Sequence, residues 1–236
     1  MLLAINTATS HLSLALLEEG EILAEASQHV GAEHSEAIFR LLDALFAFTG
    51  RPRTDLTALG VATGPGGFTG LRTGLALAKT VAQVLDKPVY GVDTLAALAY
   101  QFPGPGLVSA MLDGRLGKVF AGLYRIEGDR LITLVPGKLL PLEEWLLTLE
   151  AQAGAIAMVG EGAETYRDRL SRPESGWWVP PKAQMAAGAV AVGLLAAQKL
   201  EAGEPSELDT LAPTYHREPQ AVVNWEAAQR AKQEGA

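Results

Sequence analysis

The sequence predicts an α/β protein of two similar lobes, and three observations predict it. A pattern of apolar strand, small polar turn, second strand, acidic Gly turn and third strand occurs twice, once from Leu2 and again from Leu107. Each occurrence is followed by helical segments alternating with short apolar strands. Between the halves, Phe102-Pro103-Gly104-Pro105-Gly106 breaks all periodicity and marks a boundary. The expected division is a first lobe over 1–103, a shorter second lobe over 104–216 and a polar tail over 217–236.

In the first half, residues 2–8 and 11–17 read as apolar strands, and 21–28 as a third after the turn Glu18-Glu19-Gly20. A helix is expected from Glu33 to Thr49, closed by Gly50 and Pro52. Residues 56–63 form a buried strand that runs into Gly64-Pro65-Gly66-Gly67 and a helix to Leu85. A short strand over 88–92 and a helix over 94–100 follow. In the second half, strands are expected over 107–112, 118–125 and 130–135, the last after Glu127-Gly128-Asp129. A helix from Glu143, a strand over 155–159, a turn over 160–162 and a helix over 183–200 complete it. The two meanders read as an internal duplication.

At 236 residues and 48% hydrophobic content the chain can build a real core, which excludes a disordered chain. It contains no cysteine, which excludes a Cys-ligated zinc site, an iron–sulfur cluster, a Cys nucleophile and any disulfide. The longest nearly unbroken apolar stretch, 185–197, falls short of the roughly 20 residues that span a bilayer. The start, MLLAINTATS, lacks a basic n-region, so a cytoplasmic protein with no membrane partner is expected. A surface that grips nucleic acid needs a basic face, whereas the net charge here is −8, so any contact with RNA is expected to be indirect.

Several residues invite a chemical reading. Asn6, Thr7 and Thr9 occupy the first hairpin turn, where Asn and Thr side chains hydrogen bond to the backbone and the two hydroxyls can also donate to a phosphate. Gly64, Gly66 and Gly67 precede a helix, whose N-terminal N–H groups and dipole can hold an anion. The loop has no Lys and no Walker spacing. The favoured reading is tight packing, because Gly66, Gly70, Gly74, Ala78 and Ala82 recur every four residues as a stripe that lets another helix approach. Asp113, before Gly114, is a turn acid and a weak candidate for a base. The histidines are His11, His29, His34 and His216, and no two are spaced as helix-face metal ligands, so no metal site is expected. Glu161 and Glu164 read as solvated acids of a turn.

On a helical wheel, 33–49 carries Ile38, Leu41, Leu42 and Leu45 on one face, flanked by Phe39 and Phe46, with Ala37, Ala44 and Phe48 on the other side. The apolar arc covers about half the circumference, wider than the ~100° stripe a surface helix needs. One side packs on the chain's own sheet and the remainder suits a partner. Ile38, Phe39, Leu42, Leu45 and Phe46, with Gly70, Leu71, Gly74 and Ala78 of the neighbouring helix, form the candidate partner face.

A duplicated lobe of this kind resembles the two-lobed fold of actin, Hsp70 and the sugar kinases. The motifs AINTATSHLSLAL, HSEAIFRLLDAL, GPGGFTGLRTGLALAKTVA at 64–82, GVDTLAALA at 91–99 and LDGRLGKVFAGLY at 112–124, with Pro213-Thr214-Tyr215, occur in one order that resembles the TsaB (YeaZ) family over most of the chain. The resemblance implies a non-catalytic scaffold that heterodimerises with a TsaD-like catalytic paralog. With a TsaE-like ATPase, that pair attaches threonylcarbamoyl to the adenosine next to the anticodon of certain tRNAs. ATP and Mg²⁺ are then used by the partner subunits, tRNA is met only through the complex, and the isolated chain can pair with a second copy through the same two helices.

The resemblance also fixes what is missing. Active members of the superfamily place an Asp in the first turn to manage the metal on ATP phosphates, whereas this chain has Asn6, which brings no charge for Mg²⁺. The paralog's His-x-x-x-His pair has no counterpart in 91–98. That argues against a peptidase. The alternative is a small-molecule kinase or ATPase of the same superfamily. It needs a charged metal manager in the first turn and a Gly-rich adenosine loop, of which Gly160-Glu161-Gly162 is a poor version.

Overall fold

The structure, a computed structural model, describes residues 1–30, 34–102, 106–182 and 185–214. The expected helix start at Glu33, the break at 103–105, the residues Ala183, Tyr215 and His216, and the tail over 217–236 lie outside the described residues. Among the described residues no helix is long and apolar enough to cross a membrane.

The first meander forms as expected: β1 (Leu2–Asn6), β2 (His11–Glu18) and β3 (Glu21–His29). The chain continues through α1 (His34–Thr49), β4 (Ala58–Gly64), α2 (Phe68–Leu85), β5 (Val89–Asp93) and α3 (Thr94–Tyr100). The second meander is β6 (Gly106–Arg115), β7 (Lys118–Glu127) and β8 (Arg130–Pro141). It is followed by α4 (Leu142–Glu150), β9 (Ile156–Val159), α5 (Glu161–Thr165), α6 (Arg167–Leu170), β10 (Trp177–Trp178) and α7 (Ala189–Glu201).

Two five-stranded sheets result, in the orders β3-β2-β1-β4-β5 and β10-β9-β6-β7-β8. Read from opposite ends these are one topology: an antiparallel meander whose first strand pairs in parallel with the fourth, which pairs in parallel with the fifth. The duplication is therefore a duplication of connectivity.

Both faces of the first sheet are covered, and the residue sizes decide by what. Leu3, Ile5, Leu12, Leu14 and Leu16 point to one face, where they pack with Ile38, Leu42 and Leu45 of α1 and Leu75, Ala78 and Ala82 of α2. Full burial of each such Leu or Ile contributes about 1.5–3 kcal/mol. The other face carries Ala4, Ala15, Ala58 and Ala62 and receives Ala191, Val192 and Ala196 of α7. The approach is close: a Cβ on Gly60 would meet the Ala196 Cβ at 2.6 Å. The second sheet is built alike, with Leu142, Trp145, Leu146 and Leu149 of α4 on one face and Leu95, Leu98 and Ala99 of α3 on the other. The Trp145 indole donates to Ser109 Oγ at 3.0 Å, which satisfies two buried polar groups at once. Each half thus gives its last helix to the other's sheet, and α3 and α7 meet in the middle.

Three expectations are corrected. The helix expected from residue 183 begins at Ala189, because Gly188 is extended and the segment before it spends its backbone on other elements: Ala186 O, Ala187 O and Gly188 N are bonded to side chains of Gln101 and Asn6. The turn expected over 160–162 opens α5, with Glu164 N donating to Gly160 O. The third strand of the second meander runs to Pro141 instead of residue 135, its pairing with β7 carried past Pro136-Gly137 by irregularities in register. α6 and β10 have no counterpart in the expected elements.

Candidate functional site

The first hairpin turn leaves β1 at Asn6 and is buried, with Asn6, Thr7 and Thr9 all at or below 9% exposure. Asn6 Oδ1 accepts from Ala8 N at 3.0 Å, and Asn6 Nδ2 donates to Ala187 O, also at 3.0 Å. The amide closes its own turn and ties it to the segment ahead of α7. Thr9 Oγ1 accepts from His11 N at 3.2 Å, a local turn bond. The Thr7 hydroxyl is buried without a hydrogen-bond partner and lies against α2 at Gly74, where a Cβ would overlap it.

The Gly loop rests on that turn. Gly67 N donates to Ala8 O at 2.7 Å, and a Cβ on Gly66 would overlap the same carbonyl. Gly64 is buried beneath Thr214, whose carbonyl oxygen would stand 2.8 Å from a Cβ there; its φ of +120° itself selects glycine. The structure brings the first turn and the Gly loop together through Ala8, while Asn6 reaches Ala187, Thr7 lies against Gly74 and Gly64 lies against Thr214. Asp113 stands apart on the second sheet, exposed, its Oδ1 accepting from Arg115 N at 2.8 Å. The Asn6 amide and the Gly67 N–H are not free to hold a Mg²⁺–nucleotide. The one side chain at the metal manager's position is a neutral amide with both ends committed, and the Gly67 N–H is spent on Ala8.

Sequence reasoning missed the bonds that join the halves. Ser10 Oγ in the first turn donates to Glu161 Oε1 at 3.0 Å, so Glu161 is a link between halves, while Glu164 pairs with Arg167. Ser13 Oγ accepts from Ala189 N at 2.9 Å and donates to Glu25 Oε1 at 3.2 Å. Asp93 caps α3, accepting from Ala96 N at 2.9 Å, and the Tyr124 hydroxyl reaches the same oxygen at 3.4 Å. Burial, then the Asp93 charge, push the Tyr124 phenol far above its usual range. The sequence places a helix over 94–100 without identifying Asp93 as its cap.

A strap over 204–214 covers the open edge of β5. Glu207 N donates to Val89 O, Glu207 Oε2 accepts from Gly91 N at 3.0 Å, and Lys199 Nζ joins Gly91 O to Glu207 Oε1. The strap ends where Thr214 N donates to Thr63 O at 2.8 Å, beside the Gly loop. A cavity of about 650 Å³ lies elsewhere, between Ile22 of β3, Tyr100 at the end of α3, Phe102 after it, and Leu194 of α7, and none of the sequence-predicted residues lines it. Among the described residues no group of three or more His, Cys, Asp or Glu could hold a metal ion.

The candidate partner face is mostly turned inward. Ile38, Leu42, Leu45 and Phe46 are buried in the first lobe's core, and Gly70, Leu71, Gly74 and Ala78 are buried along α2. The stripe of small residues brings α2 onto the chain's own first turn and sheet, so its close approach is internal. Of the nine residues only Phe39 is exposed, at 57%, and Phe48, at 86%, lies on the same helix.

A family model described as TsaD: tRNA N6-adenosine threonylcarbamoyltransferase matches residues 22–225. The chain is 30% identical, over 97% of its own length and 99% of the relative's, to the tRNA threonylcarbamoyladenosine biosynthesis protein TsaB of Bacillus subtilis. YeaZ from Pseudomonas aeruginosa superposes with a TM-score of 0.79 at 26% identity, covering 91% of this chain and 98% of that one. The activator of 2-hydroxyisocaproyl-CoA dehydratase from Clostridium difficile, solved with bound ADPNP, has a TM-score of 0.50 at 12% identity over 85% of this chain and 96% of that one, a likeness of fold alone. The end-to-end match to TsaB and YeaZ places this chain within the wider threonylcarbamoyltransferase family: it belongs to the TsaB (YeaZ) family, on the two-lobed fold of actin, Hsp70 and the sugar kinases.

Proposed function

We propose that this chain is a non-catalytic scaffold of the machinery that makes threonylcarbamoyladenosine in tRNA, acting by heterodimerising with a TsaD-like catalytic paralog. In this reading the lobes are 1–103 and 104–216, a TsaE-like ATPase joins the pair, ATP and Mg²⁺ serve the partners, and tRNA is met only through the complex. The protein works in the cytoplasm, and when alone it pairs with a second copy.

The observation that carries the reading is the first turn. A phosphoryl-transfer site needs a charged metal manager and free N–H donors. Here the amide of Asn6 is committed to Ala187 and Ala8, and the Gly67 N–H to Ala8. Family membership supports the pathway, and the exposed Phe39 and Phe48 of α1 support a protein partner on the first lobe.

The test is reconstitution. Purified protein alone should show no Mg-ATP turnover, and tRNA modification by the TsaD-like and TsaE-like proteins should require it in stoichiometric amount. Phe48→Asp, at a site that contributes no burial to the fold, should abolish heterodimer formation with the melting temperature unchanged. ATP turnover by the isolated chain would favour the kinase or ATPase reading.

A further inference from the structure

His11 opens β2 and His29 closes β3, and the antiparallel register sets the two directly opposite each other. They stand 18 positions apart in the sequence, so a search for helix-face spacing passes over the pair. Directly opposed residues share one face of a sheet and bring their side chains into contact. Here the ring centres are 4.9 Å apart and the planes are inclined at 63°, an edge contact instead of a stack. Two imidazoles on one cation, at nitrogen–metal distances of about 2.0–2.1 Å and a near-tetrahedral angle, have ring centres roughly 5 Å apart.

The surroundings of the two rings differ. His11 is half-buried, and its Nδ1 is buried without a hydrogen-bond partner among the described residues, a costly state unless something completes it. His29 is exposed, and among the described residues no hydrogen bond or ion pair holds its ring, so it is free to turn its lone pair towards that of His11. The backbone beneath is fixed. His11 N donates to Thr9 Oγ1 at 3.2 Å, and Val30 N donates to Ser10 O at 3.0 Å. Ser10 is also the residue whose hydroxyl bonds Glu161, so the pair adjoins a link between the halves.

We propose that His11 and His29 form a two-histidine clip for a divalent transition-metal cation of the Zn²⁺ type, bound between the start of β2 and the end of β3. The donor set fixes the class of ion: imidazole nitrogens suit Zn²⁺, Cu²⁺ and Ni²⁺, whereas Mg²⁺ and Ca²⁺ take oxygen ligands. Two protein ligands are fewer than the three of a catalytic zinc site or the four of a structural one, so water fills the remaining positions and the ion exchanges. Its work is mechanical. It takes a lone pair that the fold leaves unused and ties the end of β3 to β2, ahead of α1 and beside the Ser10–Glu161 bond. The clip stands independently of the scaffold reading.

The test is calorimetric titration of the full chain, stripped of metal by a chelator, with Zn²⁺ and separately with Mg²⁺. Zn²⁺ should bind with one equivalent per chain and raise the melting temperature, Mg²⁺ should do neither, and the imidazole NMR signals of His11 and His29 should shift together. His29→Asn, at an exposed position, should melt like wild type without metal yet bind Zn²⁺ at least about tenfold more weakly, the loss that even an outer-shell partner causes. His34→Asn with His216→Asn, which removes the other two imidazoles, should bind as wild type. Unchanged affinity in His29→Asn overturns the clip, as does a loss confined to the His34 and His216 variant. No saturable Zn²⁺ binding by wild type overturns it outright, and half an equivalent with dimerisation overturns a site contained in one chain.

Discussion

The Asn6 amide nitrogen donates to the Ala187 carbonyl at 3.0 Å, across 181 residues and between the two halves of the duplication. Where an active relative needs an acid, this chain holds its halves together with an amide. A carboxylate at this position is acceptor-only and would face the Ala187 oxygen.

Asn6→Asp therefore tests the hydrogen bond to Ala187. The variant should lose about 3–5 kcal/mol at neutral pH, the cost of an uncompensated buried charge. Burial raises the folded-state pKa of the new carboxyl above its unfolded value of about 3.9, so the penalty is complete above the folded pKa and fades as pH falls towards the unfolded one. Urea unfolding of variant and wild type across acidic pH measures this. An equal deficit at every pH would contradict it.

The second prediction concerns Thr7 and Gly74. Gly74→Ala should destabilise by about 1–3 kcal/mol through overpacking, despite alanine's higher helix propensity. Because the Thr7 hydroxyl has no hydrogen-bond partner to lose, Thr7→Ala should restore most of that stability in the double variant. A double-mutant cycle in thermal unfolding reads the coupling, and strict additivity would show that the two residues do not touch.

Tyr124 gives a pH dependence. Its phenol is raised by burial and by Asp93, so its contribution to stability is complete below the unfolded phenol pKa of about 10 and is lost as pH climbs beyond it. Absorbance titration should show Tyr124 ionising only as the fold opens. Tyr124→Phe should cost no more than about 1.5 kcal/mol at pH 7, one hydrogen bond's worth, and should flatten the fall in stability at alkaline pH. An unchanged alkaline profile would point to Tyr90 or Tyr100, which are raised by the same kind of burial.

Glu207 holds the strap to the edge of β5. Glu207→Ala should cost about 1–3 kcal/mol and leave the Gly91 N–H without its acceptor and Lys199 without its acid. Hydrogen exchange at Gly91 should accelerate while the β1–β2 amides stay protected. Uniform acceleration would mean that the strap unfolds with the whole first sheet.

Most of the fold was legible in the chain. The apolar strands of both meanders, the helix of residues 94–100 and the helix ending at Leu85 come from local pattern and punctuation, which neighbours do not alter. The apolar run 185–197 misled because hydrophobicity without a period does not distinguish helix from buried extended chain. Residues 186–188 stay out of the helix because Gln101 and Asn6, distant in sequence, claim their backbone. The burial of most of the candidate partner face was not legible for a related reason: a wheel shows how wide an apolar arc is, never how much of it the chain's own sheet will cover.

The sequence by itself determined the α/β class, the repeated connectivity, and the chemical fact that the first turn carries an uncharged Asn6 and the Gly loop no lysine. Those are properties of residue type and short-range order. The tertiary structure alone decided that Gly66 and Gly74 are spent against Ala8 and Thr7, that α3 and α7 exchange sheets, and that Phe39 and Phe48, rather than the whole apolar arc of α1, remain outside. These outcomes depend on which surfaces meet, and packing is settled between residues as far apart in sequence as the 181 positions from Asn6 to Ala187.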